Sequence, residues 1–238
     1  RDFETILKAY GYCISVLMAY KEMDNFQRKV RNHYEAIQYA LTEVISKRHP
    51  TTYRDISIVQ YDSCRRFLSN FGNVFNLNYD LLLYWVVNQY SGHFVNKNDF
   101  FQLLGNELVW AGDEDELQRI FYPHGGLHFY EDNGYIKKAR LDEGNVPMVQ
   151  QIQTLIENKK YPLIVSDGDG AGKMLKIRNN EYLHHAYKAL CELSGTLFTY
   201  GWKFGEQDGH IVDAISKNQV GRIYIALYGE KNTEDNQN

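Results

Sequence analysis

Residues 73–90 decide how the chain is read. Val74-Phe75-Asn76-Leu77 is a short apolar run of strand length, and Asn78-Tyr79-Asp80 follows it at once. Leu81-Leu82-Leu83-Tyr84-Trp85-Val86-Val87 then carries an apolar pattern that predicts a helix from Tyr79 to Tyr90. A strand that runs into a polar turn and then a helix is the opening half of a βαβ unit. Outward from this stretch the pattern differs on its two sides. Residues before about 70 read as helices only. Phe3, Ile6, Leu7, Tyr10, Ile14, Leu17 and Met18 share one face, as do Ile37, Ala40, Leu41, Val44 and Ile45. This second helix breaks at His49-Pro50, because a proline disfavours helical dihedrals in the residue before it. A third helix, around 58–69, carries Tyr61, Cys64, Phe67 and Leu68.

After residue 73, short apolar runs alternate with helices. Arg119–Tyr122 and Leu127–Tyr130 read as strands around Gly125-Gly126, and Pro147 opens a helix to about Asn158. Pro162–Val165 reads as a strand, followed by a glycine-rich loop and two helices to Leu193. Thr196–Tyr200, Gly209–Lys217 and Arg222–Leu227 read as strand, helix and strand. The expectation is an α/β fold with a mostly parallel sheet covered by helices on both faces. Residues 1–70 form a helical segment packing on the main domain of 71–229, and 230–238 form a polar tail. Residues 91–118, with Asp113-Glu114-Asp115-Glu116, read as a solvated loop.

Composition narrows the function classes. The 238 residues carry 26 basic and 30 acidic side chains, a formal charge of −4, which argues against nucleic acid as the main partner. The 19 tyrosines and 12 phenylalanines are not interleaved with basic clusters, as stacking on single strands requires. No apolar run is long enough to span a membrane. Three separated cysteines, Cys13, Cys64 and Cys191, make no disulfide framework and read as small buried side chains in a reducing, cytoplasmic compartment. The chain opens on Arg1, with a helical pattern already present in residues 2–20, and this predicts that an earlier part of a longer protein is missing.

Ligands of open parallel sheets bind beyond the carboxyl ends of the strands. The residues there are Asn78-Tyr79-Asp80, then His124-Gly125-Gly126, then Ser166-Asp167-Gly168-Asp169-Gly170, then Gly201-Trp202-Lys203 leading to Asp208 and His210. Each cluster also has a structural reading, since Asn, Asp and Gly form turns and helix caps. Four of them at one edge point to a site.

Leu77-Asn78-Tyr79-Asp80, then His124-Gly125, then a strand-end glycine with Asp208-Gly209-His210-Ile211 downstream, resemble the SIR2-like superfamily. More narrowly, residues 65–71, 77–85, 122–128, 160–166 and 205–211 resemble an uncharacterised bacterial family, DUF4917. The resemblance implies a Rossmann-like, SIR2-like NAD-binding fold and NAD glycohydrolase activity in the complete protein, with antiviral defence by NAD depletion as its setting. By the same resemblance Asn78 holds the ribose or a water, Asp80 orients the nicotinamide–ribose end, and His124 is the general base. A pKa near ~6.5 suits His124 to that role. Gly125, Gly168, Asp169, Gly170, Gly201, Lys203 and Asp208 belong to the nucleotide site. His124 is expected at a cleft mouth, with little of its surface buried.

The chain departs from the superfamily pattern in three places. No Gly-x-Gly-x-Ser strand–loop precedes Phe3, Gly168-Asp169-Gly170 stands in place of Gly-Thr-Ser, and Gly201-Trp202-Lys203 in place of Gly-His-Ser. These departures favour the rival reading, a degenerate module that binds a nucleotide or a protein without turnover. The Cys-x-x-Cys pairs of deacylating sirtuins are absent. No metal is expected: Gly125-Gly126 breaks any helix that would align His124 with His128, and no third ligand is evident. The partner is a small-molecule nucleotide, with a homo-oligomer or a protein partner left open.

Overall fold

The computed structural model describes residues 9–10, 13–14, 16–17, 24–88, 97–112, 118–141, 146–165, 170–227 and 229. The chain divides into two compact units, Arg1–Ser166 and Asp167–Asn238. No described helix is long and apolar enough to cross a membrane. The acidic run 113–116 and the tail 230–238 lie outside the described residues.

In the first unit, helix α1 spans Asp24–Arg48 and ends just before His49-Pro50. A single 3₁₀ turn, Tyr53–Asp55, follows. It is closed at its start by Thr52, whose hydroxyl accepts from Arg54 N–H at 3.2 Å while Asp55 accepts from Thr52 N–H at 2.7 Å. Helix α2, Ile58–Leu68, opens with the same reciprocal device between Ser57 and Gln60. Helix α3 spans Leu82–Asn88, three residues later in its start than the expected Tyr79; Gln89 and Tyr90 lie outside the described residues. It starts late because Asp80 Oδ1 accepts from Leu82 N–H at 2.8 Å and His49 Nε2 accepts from Leu81 N–H at 3.0 Å. Those two acceptors satisfy backbone donors that a helix start leaves unpaired. Helix α4, Met148–Glu157, is preceded by Pro147 at φ −52°.

The strands of this unit are β1 (Asn73–Phe75), β2 (Lys97–Asn98), β3 (Phe101–Leu104), β4 (Glu107–Trp110), β5 (Gln118–Phe121), β6 (Gly125–Asp132), β7 (Tyr135–Lys138) and β8 (Pro162–Ile164). They form two sheets. One is parallel, three-stranded, in the order β1-β5-β2. The other has five strands in the order β3-β4-β7-β6-β8 and is antiparallel throughout.

The five-stranded sheet is where the structure departs from the expected, mostly parallel arrangement. Residues 97–112, expected as loop, hold three strands. Phe101–Leu104 reverses directly into Glu107–Trp110 through Gly105-Asn106, with Gly105 at φ 61°. The hairpin β6–β7 reverses through Asn133-Gly134, at φ 53° and 78°, the pair of positive dihedrals that a tight hairpin turn demands. Two-residue turns join antiparallel neighbours, whereas parallel neighbours need a crossover. The two hairpins, 101–110 and 125–138, therefore build a sheet of their own apart from β5, and β8 joins its edge against β6. The core of this unit lies between that sheet and the helices, with Tyr61 and Leu68 of α2, Tyr84 and Trp85 of α3, Leu127 of β6, and Ile152 and Ile156 of α4 in one buried cluster. Arg65 of α2 is buried as well, and its Nε donates to Val86 O at 3.0 Å.

The second unit contains α5 (Gly170–Arg178), α6 (Glu181–Cys191), β9 (Ser194–Thr199), α7 (Gly209–Lys217) and β10 (Gln219–Ile225). Strands β9 and β10 pair in parallel with α7 between them in sequence, the βαβ unit that the strand–helix–strand reading expects. Asn180 accepts from Leu183 N–H at 3.1 Å and so starts α6. Ile177, Leu183, Ala186, Ile211 and Ala214 are buried. Cys13, Cys64 and Cys191 form no disulfide and are half-buried, not fully buried as expected.

Candidate functional site

The parallel strands β1 and β5 run side by side, with Phe75 opposite Phe121. The next pairing beyond the sheet is Asn76 N–H to Phe121 O at 2.9 Å. Asn78 lies three residues past the end of β1, and His124 three residues past the end of β5. Two adjacent parallel strands thus deliver both residues to the same carboxyl edge.

Tyr79 ties the two loops together. Its backbone carbonyl accepts from Leu127 N–H at 2.8 Å, its ring lies 6.5 Å from the His124 ring, and its hydroxyl donates to Val165 O at 2.7 Å. Val165 N–H in turn donates to His124 O at 2.8 Å. Asn78 is exposed, and its backbone N–H is held by Asn76 Oδ1 at 3.1 Å. Asp80 is half-buried and uses one oxygen to start α3, so the capping role its position allowed is the one it performs. His124 is 2% exposed, which corrects the expectation of a turn histidine that buries little.

Gly125 is required by geometry. It sits at φ 73°, and a Cβ there would stand 1.9 Å from Leu163 O, where β8 passes against β6. The glycine next to His124 thus serves the joint between β6 and β8.

Two histidines and a tyrosine gain roles that the sequence reading did not assign. His49 closes the N-terminus of α3 and packs edge-on against Trp85 at 4.5 Å. His128 is fully buried against Tyr84, Tyr122 and Phe129, and neither of its ring nitrogens has a hydrogen-bond partner. Burial, reinforced by the Lys138 ammonium, holds its imidazole well below the ordinary histidine range. Beside it the Tyr84 hydroxyl donates to Ala139 O and accepts from Leu141 N–H, and burial raises its pKa. Strand alternation puts His128 on the face opposite Leu127 and Phe129, and it is buried because residues 125–130 of β6 are covered on both faces.

The remaining nucleotide-site residues fall in the second unit. Gly168 and Asp169 lie outside the described residues. Gly170 begins α5, and Gly201 and Lys203 are exposed beyond β9. Asp208 is engaged twice: Lys173 Nζ donates to its Oδ1 at 3.2 Å and Trp202 Nε1 to its Oδ2 at 3.1 Å. Lys173 is almost wholly buried, so this pairing neutralises a charge that would otherwise be costly inside the unit. His210, four per cent exposed, is pushed down to about 4, first by burial and then by Lys173, with Asp208 and Asp213 opposing.

No curated protein sequence matches the chain. A family model does, over residues 1–237, and its description is a domain of unknown function, DUF4917. The narrower of the two sequence resemblances is therefore the one that holds across the whole chain, and the protein belongs to the DUF4917 family.

Proposed function

We propose that this chain is a SIR2-like nucleotide-binding protein whose β1–β5 edge takes NAD and, in the complete protein, hydrolyses its nicotinamide–ribose bond. The observation that carries the reading is the delivery of Asn78 and His124 to one carboxyl edge by neighbouring parallel strands, the usual place for a ligand in such a sheet. The Asn78 carboxamide is exposed there and offers both a donor and an acceptor to a ribose hydroxyl or a water. His124 accepts the proton released as water or a ribose hydroxyl attacks. Asp80, two residues after Asn78 in the same loop, supplies negative charge to a transition state that carries positive charge on the sugar. The departing nicotinamide takes the bonding electron pair. In a bacterial cell this activity depletes NAD, the form of antiviral defence that the superfamily resemblance implies.

A second reading, binding without turnover, is favoured by the way carboxylates are committed: Asp80 starts α3 and Asp208 is tied to Lys173 and Trp202. One experiment separates the two. Nicotinamide release and NAD binding are measured on the protein and on His124→Gln, a variant that keeps most of the side-chain volume at a buried position. Loss of release by roughly 10²–10⁴-fold with binding retained supports the hydrolase. Binding with no release by either protein supports the module. Release unchanged in His124→Gln removes His124 from the chemistry.

A further inference from the structure

A cleft of about 410 Å³ opens in the first unit, lined by Tyr53 and Arg54 of the 3₁₀ turn, Tyr84 and Asn88 of α3, and Arg140 beyond β7, with Leu108 and Leu141. None of the residues assigned to the β1–β5 edge lines it. Its size falls in the range of small-molecule sites, roughly 300–1,000 Å³.

Its charge is unusual for a protein with a net charge of −4. Among the described residues neither Arg54 nor Arg140 pairs with a carboxylate, although Asp55 stands next to Arg54 and is used instead to close the 3₁₀ turn. Arg54 donates through Nε to the Tyr53 hydroxyl at 3.3 Å and lies 5.4 Å from the Tyr53 ring centroid, which leaves its terminal nitrogens for a ligand. Arg140 makes no hydrogen bond or ion pair among the described residues. The surrounding side chains are hydrogen-bonded in place. Tyr84 is buried with its hydroxyl committed to Ala139 O and Leu141 N–H, and Asn88 Nδ2 donates to Tyr84 O at 2.8 Å, so the Asn88 amide presents its oxygen as an acceptor.

We infer that this cleft binds an organic phosphate of mononucleotide size. The two guanidinium groups take the phosphate, since their planar donor forks match its oxygens. The Asn88 carbonyl and the apolar surface of Leu108 and Leu141 take the body of the molecule. Inorganic phosphate alone would leave most of 410 Å³ unfilled.

The test is calorimetric titration at low ionic strength with adenosine monophosphate, adenosine and inorganic phosphate as probes. The proteins compared are the parent, Arg54→Gln, Arg140→Gln and His124→Gln, each first checked for an unchanged melting temperature; both arginines are exposed, so their replacement leaves the fold intact. The monophosphate should bind more tightly than phosphate, and adenosine more weakly than either. Each arginine variant should weaken monophosphate binding about tenfold or more, the usual scale for a charge-assisted contact. Weakening in the two arginine variants places the binding in the cleft, and His124→Gln, at a residue that does not line it, should leave it unchanged. The inference is overturned if the monophosphate does not bind, binds no better than phosphate, survives both arginine replacements, or is lost in His124→Gln.

Discussion

The hydroxyl of Tyr79 donates to the carbonyl oxygen of Val165 at 2.7 Å, joining residues 86 positions apart in sequence. Tyr79 stands between Asn78 and Asp80, and Val165 N–H is bound to His124 O. One side chain therefore fixes the spacing between the loop after β1 and the loop after β5.

Tyr79→Phe removes this hydrogen bond and keeps the ring beside His124. The expected cost is about 0.5–1.5 kcal/mol, read as a lower denaturation midpoint in urea with the slope unchanged. If the two loops are held by Tyr79, NAD binding should weaken by more than global stability explains. A midpoint equal to that of the parent protein would show that the hydroxyl is equally well satisfied by water.

Gly125→Ala is expected to be severe. The new Cβ meets Leu163 O at a distance no real contact shows, and the backbone is held at φ 73°. Strain of this kind costs about 1–3 kcal/mol before any clash is counted. Thermal melting followed by circular dichroism should show a large loss or no cooperative transition. An open glycine with the same sign of φ, Gly134, serves as the control: Gly134→Asn should cost little, because nothing lies near its missing Cβ and asparagine tolerates this conformation.

His49→Ala leaves Leu81 N–H without its acceptor at a fully buried residue and removes an edge contact on Trp85. A loss of about 1–3 kcal/mol is expected for the orphaned donor. His49→Gln, which can present an amide oxygen in the same region, should recover part of it. Equal destabilisation by both variants would assign the effect to packing on Trp85.

Stability should fall on acidification below pH ~6.5, the ordinary histidine value. His128 and His210 both have depressed pKa values in the folded protein, His210 about 4 and His128 well below 6.5. Below the unfolded value the unfolded chain binds protons that the folded chain does not, so stability drops as pH falls, until the folded values are reached. Each group contributes a slope near ~1.4 kcal/mol per pH unit in that window. His128→Leu should remove one of the two slopes. It should be neutral or stabilising near pH 7, since it replaces a buried ring with two unpaired nitrogens. Urea midpoints across pH 4–8 check this, and a pH dependence identical to that of the parent would overturn the assignment.

The amino-acid sequence by itself determined the local features. The end of α1 before His49-Pro50, the capping of α2 by Ser57, the strands around 74 and 120, and the βαβ order of 194–225 all follow from interactions within a few residues. The placement of Asn78 and His124 just after two strands was legible for the same reason, although both strands end earlier than the pattern suggested. Two hairpins were legible in principle as well, through Gly105-Asn106 and Asn133-Gly134. What only the tertiary structure decided was the direction and partner of each strand beyond those turns. β8 runs antiparallel to β6, and their close approach is possible because Gly125 lacks a Cβ where Leu163 O passes, a contact that no period or propensity encodes. The burial of His128 between Tyr84 and Tyr122, the His49 acceptor for Leu81 N–H and the convergence of Arg54 with Arg140 are of the same kind. Local dihedral preferences act over one turn of chain. The energy that seats these side chains comes from burial against residues dozens of positions away, and it exists only once the core has closed.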